Sequence, residues 1–136
     1  MKPYHAKLLS FWFLLIAMLF TASFLTVTAI FHELNIDIIF HILVYSILSF
    51  LPMLIFRKRK TAFLLSLAVA PLSFFFESMH SIISGWGFEF LDALANNIGI
   101  IAGITVGLFV RLKKHFENES TNINGLLENP ITHRKQ

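Results

Sequence analysis

Four apolar runs, each long enough to cross a lipid bilayer, constrain this chain more than any other feature. A helix needs about 20 apolar residues to cross a hydrocarbon core of about 30 Å. The runs lie at Leu8–Ile30, Asn35–Phe56, Thr61–Ser84 and Phe90–Val110. They predict an all-α integral membrane bundle of four transmembrane helices, formed by residues 1–110.

Composition agrees with a membrane protein. Of the 136 residues, 56% are hydrophobic and only 14% are charged, whereas soluble domains are about 45–50% apolar and about 25% charged. So few polar residues cannot cover the apolar ones, and the lipid bilayer is the expected partner. The chain has no cysteine, which excludes disulfides, thiolate catalysis and cysteine metal sites.

The placement of basic residues predicts how the chain crosses the membrane. Lysines and arginines flank the N-terminus, the second connection (Arg57–Lys60) and the start of the tail, in the sequence "RLKK". The connections "FHEL" and "GWGFE" contain none. The positive-inside rule therefore predicts an N-in/C-in, multi-pass protein of the cytoplasmic (inner) cell membrane, with residues 111–136 as a polar cytoplasmic tail that is mobile from Glu117 onward.

Two other interpretations of the same features are weaker. The net charge of +3 could indicate nucleic acid as a partner, but the cations cluster at span ends, as membrane orientation requires, so no nucleic acid is expected. The first run follows two lysines, as a signal peptide would. Its length exceeds the usual apolar region of about 7–15 residues, and we interpret it as a retained anchor.

Polar residues and glycines recur on one face of each of the last three spans. The second span carries a polar residue every four positions, the third a pair at i and i+3, and the fourth a series at i, i+4, i+7 and i+11. In chain order they are Asp37, His41 and Tyr45, then Glu77 and His80, then Asp92, Asn96, Gly99 and Gly103. At about 1.5 Å per residue, His41, Glu77 and Asn96 all lie about 9–10 Å below the outer surface. Three spans therefore predict one polar layer near the outer leaflet.

Each of these residues also has a structural interpretation. A histidine, tyrosine or asparagine in a span can simply hydrogen-bond between helices, and Gly99-x-x-x-Gly103 is typical of a packing surface. Asp37 and Asp92 can cap helix starts or reach outer water. Tryptophans Trp12 and Trp86 are interpreted as interfacial anchors.

Glu77 is the residue that packing explains least well. An ionisable group at that depth is by default a candidate functional residue. Pro71, six residues earlier, is expected to kink the third span and to open a polar pocket around the glutamate.

Three segments together resemble the VanZ-like membrane proteins: "DIIFHILVY", "ESMH" and "DALANNIGIIAG". The family pattern is an Asp-Lys-x-x-His-x-x-x-Tyr helix, a Glu-x-x-Gln helix, a loop arginine, and Asp-x-x-x-Asn-x-x-Gly-x-x-x-Gly. The matching positions are Asp37, His41, Tyr45, Glu77, Asp92, Asn96, Gly99 and Gly103. Three positions depart from the pattern: Ile38 replaces the lysine, His80 the glutamine and Trp86 the arginine. The resemblance covers about half of the chain.

The resemblance implies a bacterial envelope protein, since the family is known for raising resistance to the glycopeptide teicoplanin. The expected function is glycopeptide resistance, or recognition of an envelope lipid or wall precursor, through the polar layer. The expected ligand is lipid-linked or a glycopeptide, bound by Tyr45, His80, Asp92, Asn96, Gly99 and Gly103. Assembly as a homo-oligomer stays open.

A small intramembrane enzyme acting on a lipid or lipid-linked glycan is the alternative. Three carboxylates in a pocket of low polarity cannot all be charged at low cost, and Glu77, the deepest, is expected to hold a proton. It would then act as general acid or base with His41 as partner and Asp37 orienting the imidazole. Glu77-x-x-His80 occurs once, whereas di-iron bundles need two such motifs. No metal and no cofactor is therefore predicted.

Overall fold

The computed structural model describes residues 3–24, 36–85 and 88–128, and all regular structure in these ranges is helical. In chain order the helices are α1 Pro3–Phe24, α2 Ile36–Ile55, α3 Arg59–Leu67, α4 Val69–Ser84 and α5 Phe90–Glu128. Only Ala68 separates α3 from α4, and the two together form one interrupted span.

Four stretches of these helices are long and apolar enough to cross a membrane: Tyr4–Thr21, Ile38–Ile55, Arg59–Ile83 and Phe90–Thr121. The predicted all-α bundle with four transmembrane helices is thereby confirmed, and the chain is a multi-pass membrane protein. The N-in/C-in orientation stays a prediction.

The first and last helices differ from the predicted spans at their ends. Helix α1 begins at Pro3, five residues before the predicted start, because proline is favoured at the first helical position. Its predicted end at Ile30 lies outside the described residues. Helix α2 agrees with its predicted span to within one residue at each end.

Helix α5 continues past the predicted boundary at Val110, and the predicted mobile tail is instead helical as far as Glu128. No proline or glycine interrupts residues 111–124. Two i,i+4 pairs support this helical extension: Lys113 Nζ lies 3.9 Å from Glu117 Oε1, and His115 Nε2 lies 3.6 Å from Glu119 Oε1. Its described side chains beyond Arg111 are exposed, so the extension has no core of its own there.

Helix α2 is the centre of the bundle, because it contacts each of the other four helices. Most of its second half is buried, and the nearly inaccessible residues are Leu48, Ser49, Leu51, Met53 and Ile55. The most extensive contact joins α2 to α5.

Three glycines allow the backbones of α2 and α5 to approach closely. A Cβ at Gly99 would lie 2.5 Å from the Ile42 carbonyl oxygen, and one at Gly103 would collide with the Ser46 carbonyl oxygen. The contacting pairs are Gly99 with Ile42, Gly103 with Ser46, and Gly107 with Met53. The packing interpretation of the two predicted glycines is therefore confirmed.

The same pairs show that α2 and α5 run parallel, because residue numbers increase together along both helices. Parallel neighbours need a connection that returns across the full length of the bundle. Helices α3 and α4 supply that return span.

The third span is interrupted where Pro71 predicts a kink. Proline has no N–H, and its ring crowds the carbonyl group four residues earlier, that of Leu67. The helix breaks at the next residue, Ala68, whose N–H donates to the Leu64 carbonyl at 2.9 Å. This interruption lies three residues before the proline, and the bend of the helix axis stays a prediction.

Buried serines connect the interrupted span to the two central helices. Ser66 Oγ, in α3, donates to the Ser49 carbonyl oxygen of α2 at 2.6 Å. Ser49 Oγ is 3.1 Å from the Ile100 carbonyl oxygen of α5, to which it donates. Both serines are fully buried, so these bonds satisfy hydroxyl groups that would otherwise lie unpaired in an apolar interior.

Trp12 attaches α1 to α2, and its interpretation as an interfacial anchor is wrong. Its indole is 8% exposed, and Nε1–H donates to the Leu48 carbonyl oxygen at 2.8 Å. That carbonyl would ordinarily accept from the N–H of residue 52, which is Pro52 and has none. The indole therefore occupies an acceptor that proline leaves vacant within a continuous helix.

If Trp12 replaces the donor that Pro52 lacks, a second substitution that restores the donor should offset the loss of Trp12. Trp12→Phe leaves the buried Leu48 carbonyl without a donor and should lower the free energy of unfolding by about 1–3 kcal/mol. Adding Pro52→Ala supplies a backbone N–H at the right position and should restore part of that loss, although the same change alone opens a small cavity. Thermal unfolding of the four proteins in detergent measures the coupling. Strictly additive effects would contradict the proposed relation.

Candidate functional site

Six polar side chains from three helices gather at the end of the bundle where α2 and α5 begin. Helix α2 provides His41 and Tyr45, α4 provides Glu77 and His80, and α5 provides Asp92 and Asn96, and we call this set the Glu77 cluster. Tyr45, Glu77, Asp92 and Asn96 are all less than a tenth exposed, and the two histidines are half-buried. All six belong to the polar layer that the sequence predicts.

A hydrogen bond between α2 and α5 fixes one side of the Glu77 cluster. His41 Nδ1 lies 2.8 Å from Asn96 Oδ1. With the amide oxygen as acceptor, Nδ1 carries the proton, and Nε2 of the neutral ring has the lone pair. The His41 ring also stacks on Tyr45, with centroids 6.2 Å apart and planes inclined by 15°. The imidazole is therefore oriented by partners on two helices.

The Glu77 carboxyl group lies within electrostatic range of the other ionisable members. Asp92 of α5, His41 of α2 and His80 of α4 all lie within electrostatic range of it. Tyr45 is also within range. Two nearby carboxyl groups in a buried setting favour sharing a proton or a positive partner between them.

The described residues on either side of the connection between α4 and α5 also contribute to this site. Helix α4 ends at Ser84, and Gly85 follows with a φ of 71°, in the left-handed region that glycine adopts without strain. The chain then returns so that the backbone N–H of Glu89 donates to the Glu77 carboxylate. The Glu89 carbonyl in turn accepts from the N–H of Ala93 at 3.2 Å.

Asp92 lies in the first turn of α5. The first amide groups of a helix point their N–H outward and carry partial positive charge, so a carboxylate is stabilised there. The helix-start interpretation of Asp92 therefore agrees with its position, and the residue is still buried beside Glu77.

Not every predicted site residue joins the Glu77 cluster. Asp37 lies in the first turn of α2, but its side chain is outside the described part of the structure. The predicted contact of Asp37 with His41 therefore stays a prediction, and the described partner of His41 Nδ1 is Asn96 of α5. Gly99 and Gly103 lie one and two turns further along α5, where they pack against α2. Trp86 is outside the described residues.

Sequence reasoning missed two contributors. One is the Glu89 backbone N–H, and its only signal is the nearness of "GWGFE" to the predicted layer. The other is Phe20 of α1, whose ring centroid lies 6.1 Å from that of Phe76, the neighbour of Glu77. Nothing in the periodicity of the first span singles out that phenylalanine.

The arrangement suits hydrogen bonding and proton transfer. Among the side chains that the structure describes, no group of three or more histidine, aspartate or glutamate residues is placed to hold a metal ion. The His41 imidazole and the Glu77 carboxyl group are both held by partners from other segments. Such fixed groups can bind a polar ligand or exchange a proton with one.

No protein-family model, curated protein or solved structure matches this sequence. The VanZ-like resemblance of the three polar segments therefore stays a prediction.

Two adjacent asparagines allow a matched test of the Glu77 cluster. Asn96 is 1% exposed and joins α5 to α2, whereas Asn97 is exposed and its Nδ2 donates to Ala93 of its own helix at 2.7 Å. Asn96→Ala leaves a buried imidazole N–H without this partner and should lower the free energy of unfolding by about 1–3 kcal/mol. Asn97→Ala should change it by at most about 0.5 kcal/mol.

Unfolding of both variants can be followed by circular dichroism during heating in detergent. Equal melting temperatures for the two alanine variants would mean that the contact between His41 and Asn96 does not hold α2 and α5 together.

Proposed function

We propose that this protein is a VanZ-like integral membrane protein of the bacterial cell envelope, and that the Glu77 cluster recognises an envelope lipid, a wall precursor or a glycopeptide. Contribution to teicoplanin-type resistance is the expected phenotype. The observation that carries the proposal is that Glu77 and five other polar side chains, from three helices in all, gather at one place in the bundle. Ionisable side chains inside membrane spans are rare and costly, so a group of them is a candidate functional site.

The charge of the cluster indicates which part of a ligand it would bind. Glu77 and Asp92 supply carboxyl groups, and Asn96 supplies an amide. No lysine or arginine occurs between residues 8 and 56 or between 61 and 110. Ammonium and hydroxyl groups, which donate hydrogen bonds, therefore suit the cluster better than phosphate groups, which only accept them. Amino sugars and glycan hydroxyls have that chemistry.

The proposal requires the Glu77 cluster to face the outer leaflet. The excess of lysine and arginine near the N-terminus, Arg57–Lys60 and Arg111 supports that orientation. Because the chain has no cysteine, single cysteines report topology without background. Cysteines at Leu34 and Gly87 should react with a membrane-impermeant maleimide in intact cells, and one at Lys58 should not. Outside labelling at position 58 would reverse the orientation.

Acid–base catalysis on a lipid or lipid-linked glycan is the second candidate. The hydrogen bond from His41 Nδ1 to Asn96 favours it, because it gives Nε2 the lone pair of a general base. Histidine bases in enzymes are commonly held in one tautomer in this way. The binding proposal needs no such proton transfer.

Glu77→Gln tests whether the carboxyl group must change its protonation. Glutamine has nearly the shape of glutamate and its amide oxygen still accepts hydrogen bonds, but it cannot exchange a proton near neutral pH. We expect a folded protein that fails to restore glycopeptide resistance to a deletion strain. The matched control is Glu117→Gln, which removes an exposed carboxylate of the α5 extension and should restore resistance fully.

Native mass spectrometry of the same variants then separates the two functions. If Glu77→Gln retains the wild-type set of bound lipids or precursors but fails to complement, the proton of Glu77 is needed for catalysis. If it loses both, the cluster is a binding site. Full complementation by Glu77→Gln at normal abundance would contradict both candidates and leave Glu77 a packing residue.

A further inference from the structure

A basic cluster occupies the end of the bundle opposite to the Glu77 cluster. Arg57, Lys58, Arg59 and Lys60 are exposed at the connection from α2 to α3, and Arg111 lies partly buried beside them on α5. We call these five residues the Arg111 cluster. None of them takes part in the function proposed above.

Arg111 is fixed in place by the end of α2. Its Nε donates to the Met53 carbonyl oxygen at 2.7 Å, and its Nη2 donates to the Phe56 carbonyl oxygen. Carbonyl groups at the end of a helix lack intrahelical donors and attract cations. The guanidinium group is therefore held beside the α2–α3 connection instead of moving freely in solvent.

Arg59 brings a second guanidinium group into electrostatic range of Arg111. The two cations repel each other, and among the described side chains no carboxylate lies at this end to offset them. Glu117 and Glu119 pair with Lys113 and His115 further along α5. The remaining described carboxylates belong to the opposite end. Arg111, held by two carbonyl groups, thus has Arg59 within electrostatic range and no described carboxylate beside it.

We propose that the Arg111 cluster binds the phosphate groups of anionic phospholipids at the membrane surface on this side of the bundle. A guanidinium group matches phosphate geometry with parallel N–H donors. Basic residues next to a transmembrane helix gain further attraction from an anionic leaflet. The cluster lies where α2 ends, where α3 begins and where the apolar part of α5 gives way to polar residues. Headgroups are expected at this level, so a lipid is the source of phosphate that this position favours.

The test is native mass spectrometry of the full chain in a non-ionic detergent, titrated separately with phosphatidylglycerol, phosphatidylcholine and inorganic phosphate. Wild type should retain phosphatidylglycerol in preference to phosphatidylcholine. Arg59→Gln should weaken phosphatidylglycerol binding about tenfold, the size expected for one lost charge-assisted contact. Arg59→Lys keeps the charge but loses the planar guanidinium group, so its affinity for phosphatidylglycerol should lie between those of wild type and Arg59→Gln. Lys113→Gln removes the same charge from the face paired with Glu117 and should bind within about twofold of wild type.

Two outcomes would overturn the assignment to lipid: equal losses in Arg59→Gln and Lys113→Gln, or phosphatidylcholine retained as tightly as phosphatidylglycerol. Displacement of the lipid by inorganic phosphate at comparable concentration would assign the cluster to a soluble anion instead. Salt provides a check that needs no variant, because headgroup binding to wild type should weaken as ionic strength rises. Binding that does not depend on salt would also contradict the proposal.

Discussion

The close approach of α2 and α5 is the constraint on which the rest of the structure depends. Gly99, Gly103 and Gly107 leave no room for a side chain between the two backbones. Lipid offers no hydrophobic driving force between helices, so tight van der Waals packing of this kind has to hold them together. The register that the glycines set also brings Asn96 to His41 at one end and Arg111 to Met53 at the other. Both the Glu77 cluster and the Arg111 cluster thus depend on the glycine-packed interface between α2 and α5.

Pro52 and Pro71 both lack a backbone N–H, but the helix responds differently at the two positions. Pro71 and Pro52 each remove a backbone donor from a span. At Pro71 the helix breaks, and α3 and α4 meet at Ala68. At Pro52 the helix continues, because the Trp12 indole donates to the Leu48 carbonyl that lost its partner. The difference lies in what packs against each site, which local sequence does not encode.

The sequence predicted the spans and the polar layer well, because both follow from periodicity and length. The helix faces that carry His41, Glu77 and Asn96 meet in the bundle, in agreement with the equal depths calculated from the rise per residue. It failed where a contact between distant residues decides the outcome: Trp12 is paired inside the bundle. It also did not predict that Asn96 of α5 holds the His41 ring of α2. It also ended the last span at Val110, where hydrophobicity stops but helical propensity does not. The function, the orientation and the family stay predictions.

The unbroken length of α5 has a mechanical consequence. Its 39 residues extend over about 58 Å, nearly twice the thickness of a hydrocarbon core. The 17 residues from Leu112 to Glu128 continue the same hydrogen-bonded rod for about 25 Å past the bundle. A lever of that length amplifies angle into distance: a tilt of about 10° in the glycine-packed span moves its far tip by about 4 Å. A small change in the angle of α5 where it packs against α2 therefore gives a larger displacement at its far end.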